Sequence, residues 1–443
     1  MSENGNQSRE WSSRFGYIMV AAGAAIGLGN IWKFPYLAYQ GGGGVFLVVY
    51  ILIVAVMAHP MVEMETAIGR HSASDTVTCF ERINKKWGIR RLAGKYLYTS
   101  YQYVSCRCRW MGTQVRFSIH YKRRLRFRQT GLLHKFYYFN CRTDYLAMIL
   151  LVFVSILLLF GITNLVEKVT KIIMPILFLF LIICGIWAIF VTDNAIEGLQ
   201  YYLLPDFSKF SFTVFSQAAT QVLFSVGIGW GIYETLGANI PKKNNLKSDA
   251  ILVSICDTGA AILAGFVIIP SAFAGGVDMQ SGPSLIFLVM TGIFSKLPGG
   301  RLIGICFFLA IVFAVISSLF TFFEISIRTF EDNLKMGRIK ATLIISLIIG
   351  AGNIIVSLGF GVLSGIKLHG WTLPVYPISD SMTGLTHLPD ISCFRSVVFL
   401  SVSSYPRSGD LKNMKKNLRT TANSEELLYM IRFLLTLSFR SSW

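Results

Sequence analysis

Eight apolar runs recur along this chain, near residues 17–38, 45–58, 147–162, 172–191, 213–234, 250–275, 302–323 and 341–363. Several approach the ~20 residues that a helix needs to cross a bilayer. A single run of this kind suits a buried core helix of a soluble protein, but eight in one chain do not. Charged residues make up 14% of the chain against 53% hydrophobic, where a soluble domain carries roughly 25% charged residues. The expectation is an all-α polytopic membrane protein with the lipid bilayer as its solvent. Residues up to Arg14 are polar and the first apolar run continues past signal length, so no cleavable signal peptide is expected.

Basic loops set orientation, because Lys and Arg resist translocation. The stretch Arg82–Lys95 carries Arg82, Lys85, Lys86, Arg90, Arg91 and Lys95, so it is expected to be cytoplasmic. The same holds for Lys168/Lys171, Lys242/Lys243/Lys247 and Lys335/Arg338/Lys340, while the loops at 39–44, 192–211 and 275–300 are poor in basic residues and expected outside. This puts the N-terminal segment, residues 1–13, in the cytoplasm, and the chain in the inner (cytoplasmic) membrane as a multi-pass protein.

The alternation fails once. Two crossings are required between the loops at 82–95 and 163–171, yet only 147–162 is apolar. Residues 101–143 instead hold Arg107, Arg109, Arg116, Lys122, Arg123, Arg124, Arg126, Arg128, Lys135 and Arg142, with no acid from Ser105 to Thr143. A basic tract with interleaved Tyr and Phe suits a loop that binds nucleic acid or lipid. A frameshift accounts for it better, and no nucleic-acid partner is expected. Trp110, Met111 and Gly112 have nearly forced codons, and one nucleotide later these read Gly-Trp. With permitted codon choices Arg109–Tyr121 then becomes an apolar helix. Apolar periodicity also fades after Met382, and Arg395 interrupts Ser392–Leu400. The expected organisation is a transporter core over 14–382, with 101–143 as an aberrant basic segment replacing a third helix, and an aberrant or truncated region over 383–443.

Chemistry-bearing clusters are few. The eight cysteines form no paired framework, and Cys106 and Cys108 make only a C-x-C without a second pair, so no zinc site is expected. No nucleophile–base pair or metal-ligand cluster supports an enzyme. The informative pattern is glycine. Gly23, Gly27 and Gly29 fall within seven residues of the first run, and Gly227, Gly229 and Gly231 within five residues of a later one. Each glycine weakens a helix by ~1 kcal/mol relative to alanine, and broken backbone in a membrane is tolerated only against protein or a wet cavity. Close helix packing through small residues is the alternative for the first cluster. Once the missing third helix is counted, the two interrupted spans occupy corresponding positions in repeats of five helices. That spacing predicts a five-plus-five inverted-repeat transporter fold, with helices 1 and 6 broken at the midplane around a solute and ion site.

At these residues the chain resembles the neurotransmitter:sodium symporter family. The resemblance rests on Arg9-Glu10-Trp11, Gly23–Asn30 followed by Ile31-Trp32-Lys33-Phe34-Pro35-Tyr36, Gly41–Gly44, and Glu65-Thr66-Ala67-Ile68-Gly69-Arg70. It extends through Phe224–Gly231, Asp257–Pro270, Ser281–Phe287 and Ser317-Ser318. It implies sodium-coupled symport of an amino acid or related small solute by alternating access, the alternative being an inactive or binding-only product of a damaged gene. It further implies two sodium ions. One would be held by the Ala25 carbonyl, Asn30, Ser225 and Asp257. The other would be held by the Gly23, Ile26 and Ala314 carbonyls with the Ser317 and Ser318 hydroxyls. The two hydroxyls alone would as readily bond back to their own helix. The solute pocket implied comprises Ala25, Gly27, Leu28, Gly29, Phe224, Gly227, Trp230 and Ser318. Space at Gly227 beside apolar Phe224 and Trp230 points to a bulky apolar or aromatic amino acid.

Four further residues are expected to gate or support that pocket. Glu65 would accept backbone N–H groups of a broken helix. Lys33 stands where the family usually has an outer-gate arginine, and it lacks the planar fork; the acidic partner falls near Tyr376. Arg9 and Asp332 would form an inner pair, although the Arg-to-Trp spacing is one residue short. The family's third-helix tyrosine falls in the corrupted region, with Tyr101 or Tyr103 nearest. Asp257 occupies a position where asparagine is common in the family, so a fixed carboxylate stands beside sodium and no chloride is expected.

Overall fold

The computed structural model describes residues 10–76, 78–79, 142–191, 195–275, 290–296, 298–359, 367–368 and 371–372. The expectations placed on Arg9, on 101–141, on Ser281–Phe287 and on the region after 372 lie outside these residues.

The first helix starts where its sequence allows. Ser13 is extended and its hydroxyl accepts from the Gly16 N–H at 3.0 Å, which satisfies one of the donors a helix start leaves free. α1 then runs over Arg14–Ala25 until Ile26, at φ −70° and ψ 102°, leaves helical geometry. The chain resumes as α2 (Gly29–Gln40), bent by 57° from α1. α2 opens with a widened turn in which the Phe34 N–H reaches back to the Gly29 carbonyl; two further such turns occur at Val54–Ala58 and Ile162–Val166. After α3 (Gly44–Ser72) the described chain continues with α4 (Arg142–Leu159), α5 (Ile162–Phe190) and the short α6 (Ala195–Leu203). A second interrupted pair follows, α7 (Phe212–Val226) and α8 (Ile232–Gly237). The rest is α9 (Leu246–Gly275), α10 (Thr291–Lys296), α11 (Gly300–Leu334) and α12 (Arg338–Gly359). A two-residue antiparallel pair, Lys367–Leu368 with Trp371–Thr372, accounts for the strands among the described residues. The chain is helical, as its periodicity predicts.

α3, α5, α9 and α11 are each long and apolar enough to cross a membrane, and α1 with α2 makes a fifth span if the bend is taken as one crossing. Their outward faces carry Leu52, Ile186, Phe190, Ile255 and Leu302, all strongly exposed. A contiguous apolar exterior of this kind requires lipid as solvent. α3 outruns its apolar stretch at 45–58 because Glu63, Glu65 and Thr66 continue the helix as buried residues. Their polarity hides the second half of the span from a hydropathy reading.

α1 and α5 pack on each other and on both α9 and α11, and polar groups lock the corners. At the α11–α12 corner, Arg338 gives 2.8 and 2.5 Å hydrogen bonds to the two oxygens of Glu324 and a further 2.8 Å bond to the Leu158 carbonyl. One planar guanidinium thus ties α12, α11 and α4 together.

α8 packs tightly on the second half of α3. A Cβ on Gly69 would overlap the Glu234 carbonyl, and one on Gly237 would lie 2.6 Å from the Thr66 carbonyl. Only glycine permits both approaches. Gly69→Val should therefore force the two backbones apart and destabilise the protein by about 1–3 kcal/mol, the range for overpacked sites. Thermal unfolding in detergent measures this, and an unchanged melting temperature would rule out the close packing as a constraint.

Candidate functional site

The second break is made by backbone conformation. Gly227, Gly229 and Gly231 have φ of +80°, +78° and +78°, a region in which a Cβ is strained. α7 therefore ends with a left-handed Gly227, whose N–H returns to the Leu223 carbonyl. The first break has a different cause. Ile26, not a glycine, leaves the helix, and Gly23 and Gly29 are needed for close approach, whereas a Cβ on Gly27 would make an ordinary contact. A Cβ on Gly23 would sit 2.9 Å from Ser317 Cβ, one on Gly29 3.0 Å from the Phe224 ring, and one on Gly27 3.4 Å from Ser318 Oγ. The packing alternative thus explains Gly23 and Gly29 of the first cluster, even though the helix is also broken there.

The interruptions free backbone groups, and side chains from other helices meet them. Asn30 Oδ1 accepts from the Gly27 N–H at 3.1 Å, and Gln221 Nε2 donates to the Gly29 carbonyl at 3.1 Å. Glu65 accepts from the Gly229 N–H at 2.7 Å, and the Tyr233 hydroxyl donates to the Val226 carbonyl at 2.7 Å. Glu65 thus meets one N–H of the second break. Gln221 and Tyr233 carry no motif of their own. The signal for Gln221 was its place four residues before Ser225, on the same face of α7.

Two oxygen-rich points lie beside the first break. At one, α2, α7 and α9 bring together Asn30, Ser225 and Asp257, all buried. Asn30 Nδ2 donates to Asp257 Oδ1 at 2.7 Å and to the Asp257 carbonyl at 3.0 Å, and Ser225 Oγ lies 3.0 Å from both carboxylate oxygens. Asp257 is in mid-helix and fully buried, which excludes a helix-end carboxylate in water. The Asn30 amide turns its NH2, not its oxygen, toward Asp257 in this arrangement.

At the other point, Ser318 Oγ lies 3.2 Å from the Gly23 carbonyl, 3.2 Å from the Ile26 carbonyl and 3.0 Å from the Ala314 carbonyl. Three acceptors share one hydroxyl proton, an excess of oxygen lone pairs that suits a hard cation. Ser317 Oγ bonds back to the Phe313 and Ala314 carbonyls, both at 3.0 Å.

Between these points, Gly27, Gly29, Lys33, Phe224 and Trp230 are only part-buried, whereas Ala25, Leu28, Gly227 and Ser318 are buried. Phe224 meets Trp230 edge to face at 5.5 Å, Trp230 lies 5.5 Å from Phe322, and Lys33 Nζ stands 4.2 Å over the Phe224 ring. Phe322 was not singled out in the sequence. Gly227 does not open onto space, since a Cβ there would lie 2.7 Å from Ile232 Cδ1. The apolar character of this region comes from the aromatic rings alone.

A polar network closes the end of the bundle where α1 begins. Arg14 pairs with Asp249 at 2.5 Å and donates to Ser248 at 2.5 Å. Glu167, buried and paired with Lys171 at 2.6 Å, accepts from the Ser12 hydroxyl and from the Ser12 N–H at 3.0 Å. Trp11 Nε1 donates to the Leu236 carbonyl at 3.0 Å. Asp332 accepts from the Asp75 N–H at 2.8 Å and from Arg328 at 3.3 Å.

Membrane-length helices, with one bent pair broken beside two oxygen-rich points, suit a membrane transport protein. Residues 8–91 and 133–383 match the Sodium:neurotransmitter symporter family, and the chain belongs to that family. It is 31% identical to an uncharacterized sodium-dependent transporter of Haemophilus influenzae, over 84% of each chain. It is 26% identical to the sodium- and chloride-dependent taurine transporter of Rattus norvegicus, over 74% of this chain and 61% of that protein. The crystal structure of MhsT in complex with L-phenylalanine superposes with a TM-score of 0.79 at 26% identity, covering 98% of this chain and all of that one.

The Arg14–Asp249 pair anchors the start of α1 to α9, so its loss should loosen that end first. Asp249→Asn is expected to speed amide hydrogen exchange in residues 12–17 severalfold and leave the middle of α11 unchanged. Exchange read by mass spectrometry decides this, and equal protection in variant and parent would dismiss the anchor.

Proposed function

We propose that this chain is built as a sodium:amino-acid symporter of the inner membrane, with its N-terminus in the cytoplasm, working by alternating access. The observation that carries this reading is the pair of oxygen-rich points beside the broken helices. In it the first sodium takes Asp257, Ser225, the Ala25 carbonyl and Asn30 after its amide turns. The second takes the Gly23, Ile26 and Ala314 carbonyls with Ser318 and Ser317, whose hydroxyls rotate their protons away. The interrupted pairs α1/α2 and α7/α8 are the first helices of two inverted five-helix repeats, with their breaks at the membrane midplane. The Gly27 N–H, released when the Asn30 amide turns, and other freed N–H groups of the breaks apart from the Gly229 N–H held by Glu65 receive the carboxylate of the solute.

The solute is a bulky apolar or aromatic amino acid, lying against Phe224, Trp230 and Phe322. MhsT, whose structure holds L-phenylalanine, supports that choice. Lys33 belongs to the outer side of this pocket. Arg9 and Asp332, together with Arg14–Asp249, belong to the inner one.

Chloride is not required. An anion compensates sodium charge where the site is neutral, but here Asp257 already supplies a carboxylate. At ~4 Å and an effective dielectric of ~20, opposite unit charges attract by about 4 kcal/mol, comparable to what a bound anion contributes. The rat relative's chloride dependence is the contrasting case. Uptake of labelled phenylalanine or leucine into proteoliposomes, with residues 101–143 restored to the alternative frame, tests the reading. The expected outcome is transport that stops without sodium, continues when gluconate replaces chloride, and gains a chloride requirement in Asp257→Asn. A large fall in initial rate on removing chloride from the parent defeats the chloride argument, and uptake of glycine but of neither phenylalanine nor leucine defeats the choice of solute.

A specific observation favours a second reading for the chain as it stands, that of an inactive or binding-only product. The family match stops at residue 91 and resumes at 133, and the basic tract lies largely within that gap. We read 101–143 as a frameshifted third helix, and 383–443 as similarly altered. Each Arg at a bilayer centre costs about 2.5–3.5 kcal/mol on insertion scales, so the tract stays in water. Ser118→Cys should react freely with aqueous thiol reagents in the chain as sequenced and be protected in the frame-restored one. Full protection in the chain as sequenced would show that the tract is inserted after all.

A further inference from the structure

Two carboxylates meet where α8 crosses α3, away from both oxygen-rich points. Glu65 and Glu234 are both buried, at 3% and 4% exposure. Each keeps one oxygen, Oε2, with no hydrogen-bond partner. Their positions are fixed by backbone. Gly69, one turn beyond Glu65 on the same face of α3, touches the Glu234 carbonyl, and Gly237 touches Thr66. That backbone contact sets the two carboxyl-bearing turns of α3 and α8 against each other.

Among the described residues nothing facing the pair neutralises it, and neither carboxylate has an ion pair. On α3 itself, Arg70 gives its guanidinium to the Asn244 carbonyl and faces Asp249 and Tyr17. From α1, the Tyr17 hydroxyl is engaged with Thr66 Oγ1 at 3.4 Å. On α8, Tyr233 spends its proton on the Val226 carbonyl. From α9, Asp249 is held by Arg14, and Asp257 by Asn30 and Ser225. On α11, Arg328 turns to Asn239 and Asp332. Two negative charges buried side by side without a cation cannot both persist, and one group of such a pair keeps its proton.

We propose that Glu65 and Glu234 form a proton-binding site that holds one proton between two carboxyl groups. One of the two groups carries the charge, which strengthens a backbone N–H bond such as the 2.7 Å bond from Gly229 to Glu65. The other carries the proton and supplies the donor that the free oxygens lack. The site acts on the break between α7 and α8 directly. A second proton would weaken the hold on Gly229, and loss of the first would drive the two carboxylates, and so α3 and α8, apart. The inference stands apart from the sodium assignments, since neither residue belongs to the oxygen-rich points.

Infrared absorption of protonated carboxyl groups tests this in the full-length protein in lipid at neutral pH, compared in H2O and D2O. Parent-minus-variant spectra isolate the pair from every other acid. The double variant Glu65→Gln/Glu234→Gln should remove one whole carboxylic-acid band, and each single variant should shift or remove that same band and no other, because the pair holds one proton that a buried survivor can keep. A double variant that leaves the parent band intact would mean that the pair holds no proton. A double variant that removes two whole bands would mean two independent acids, and would equally overturn the proposal. If Glu65→Gln does not yield folded protein, Glu234→Gln and Glu234→Leu carry the test together. A band that shifts or disappears in both supports the shared proton, and a band unchanged in position and intensity in both refutes it.

Discussion

A helix interrupted in apolar surroundings leaves backbone N–H and C=O groups that no solvent will receive. Much of the polar chemistry inside this bundle answers that demand. Gly27 N–H goes to Asn30, Gly29 C=O to Gln221, Gly229 N–H to Glu65 and Val226 C=O to Tyr233. The Gly23 and Ile26 carbonyls converge on Ser318. The partners come from α2, α3, α7, α8 and α11, so the two breaks are what tie the polar interior into one structure. Any change at a break is felt on several helices at once.

The sequence disclosed the spans and the breaks more readily than the reasons for them. Apolar runs marked the helices, but α3 was cut short at about residue 58 because a buried Glu65 reads like a solvated one. Both glycine clusters were visible and looked equivalent, yet their physics differs. Gly227, Gly229 and Gly231 take a left-handed backbone, while Gly23 and Gly29 make room for Ser317 and Phe224. Conformation and close approach leave the same letter in the sequence, and only coordinates separate them.

The partners that close the site were harder to read. Asn30, Ser225 and Asp257 could be grouped in advance through resemblance, because the motifs around them are distinctive. Gln221, Glu234, Phe322 and the Arg14–Asp249 pair have no such motif. They matter because of contacts across tens to hundreds of residues, and separation along the chain leaves no periodic trace. A charge such as Glu234 also reads by default as solvated, since buried acids are rare. Its burial follows from Gly69 and Gly237, which draw α8 onto α3 whatever residue stands between them.

The hydroxyls and amide beside the first break have two uses that exclude each other. Ser318 has one proton to share among three carbonyls, and Asn30 now offers its NH2 to Asp257. In the symport reading, sodium takes the place of these hydrogen bonds, so that serine protons turn away and the asparagine oxygen turns in. The exchange replaces weak neutral contacts with ion–oxygen bonds to the same carbonyls that end α1. An ion bound there holds Gly23, Ile26 and Ala314 in one arrangement more firmly than a single shared hydroxyl proton can. On this argument sodium acts on the solute pocket without touching the solute. It fixes the spacing of α1 and α11 on which the exposed N–H groups of the break depend, and affinity for solute rises with ion occupancy as linkage requires.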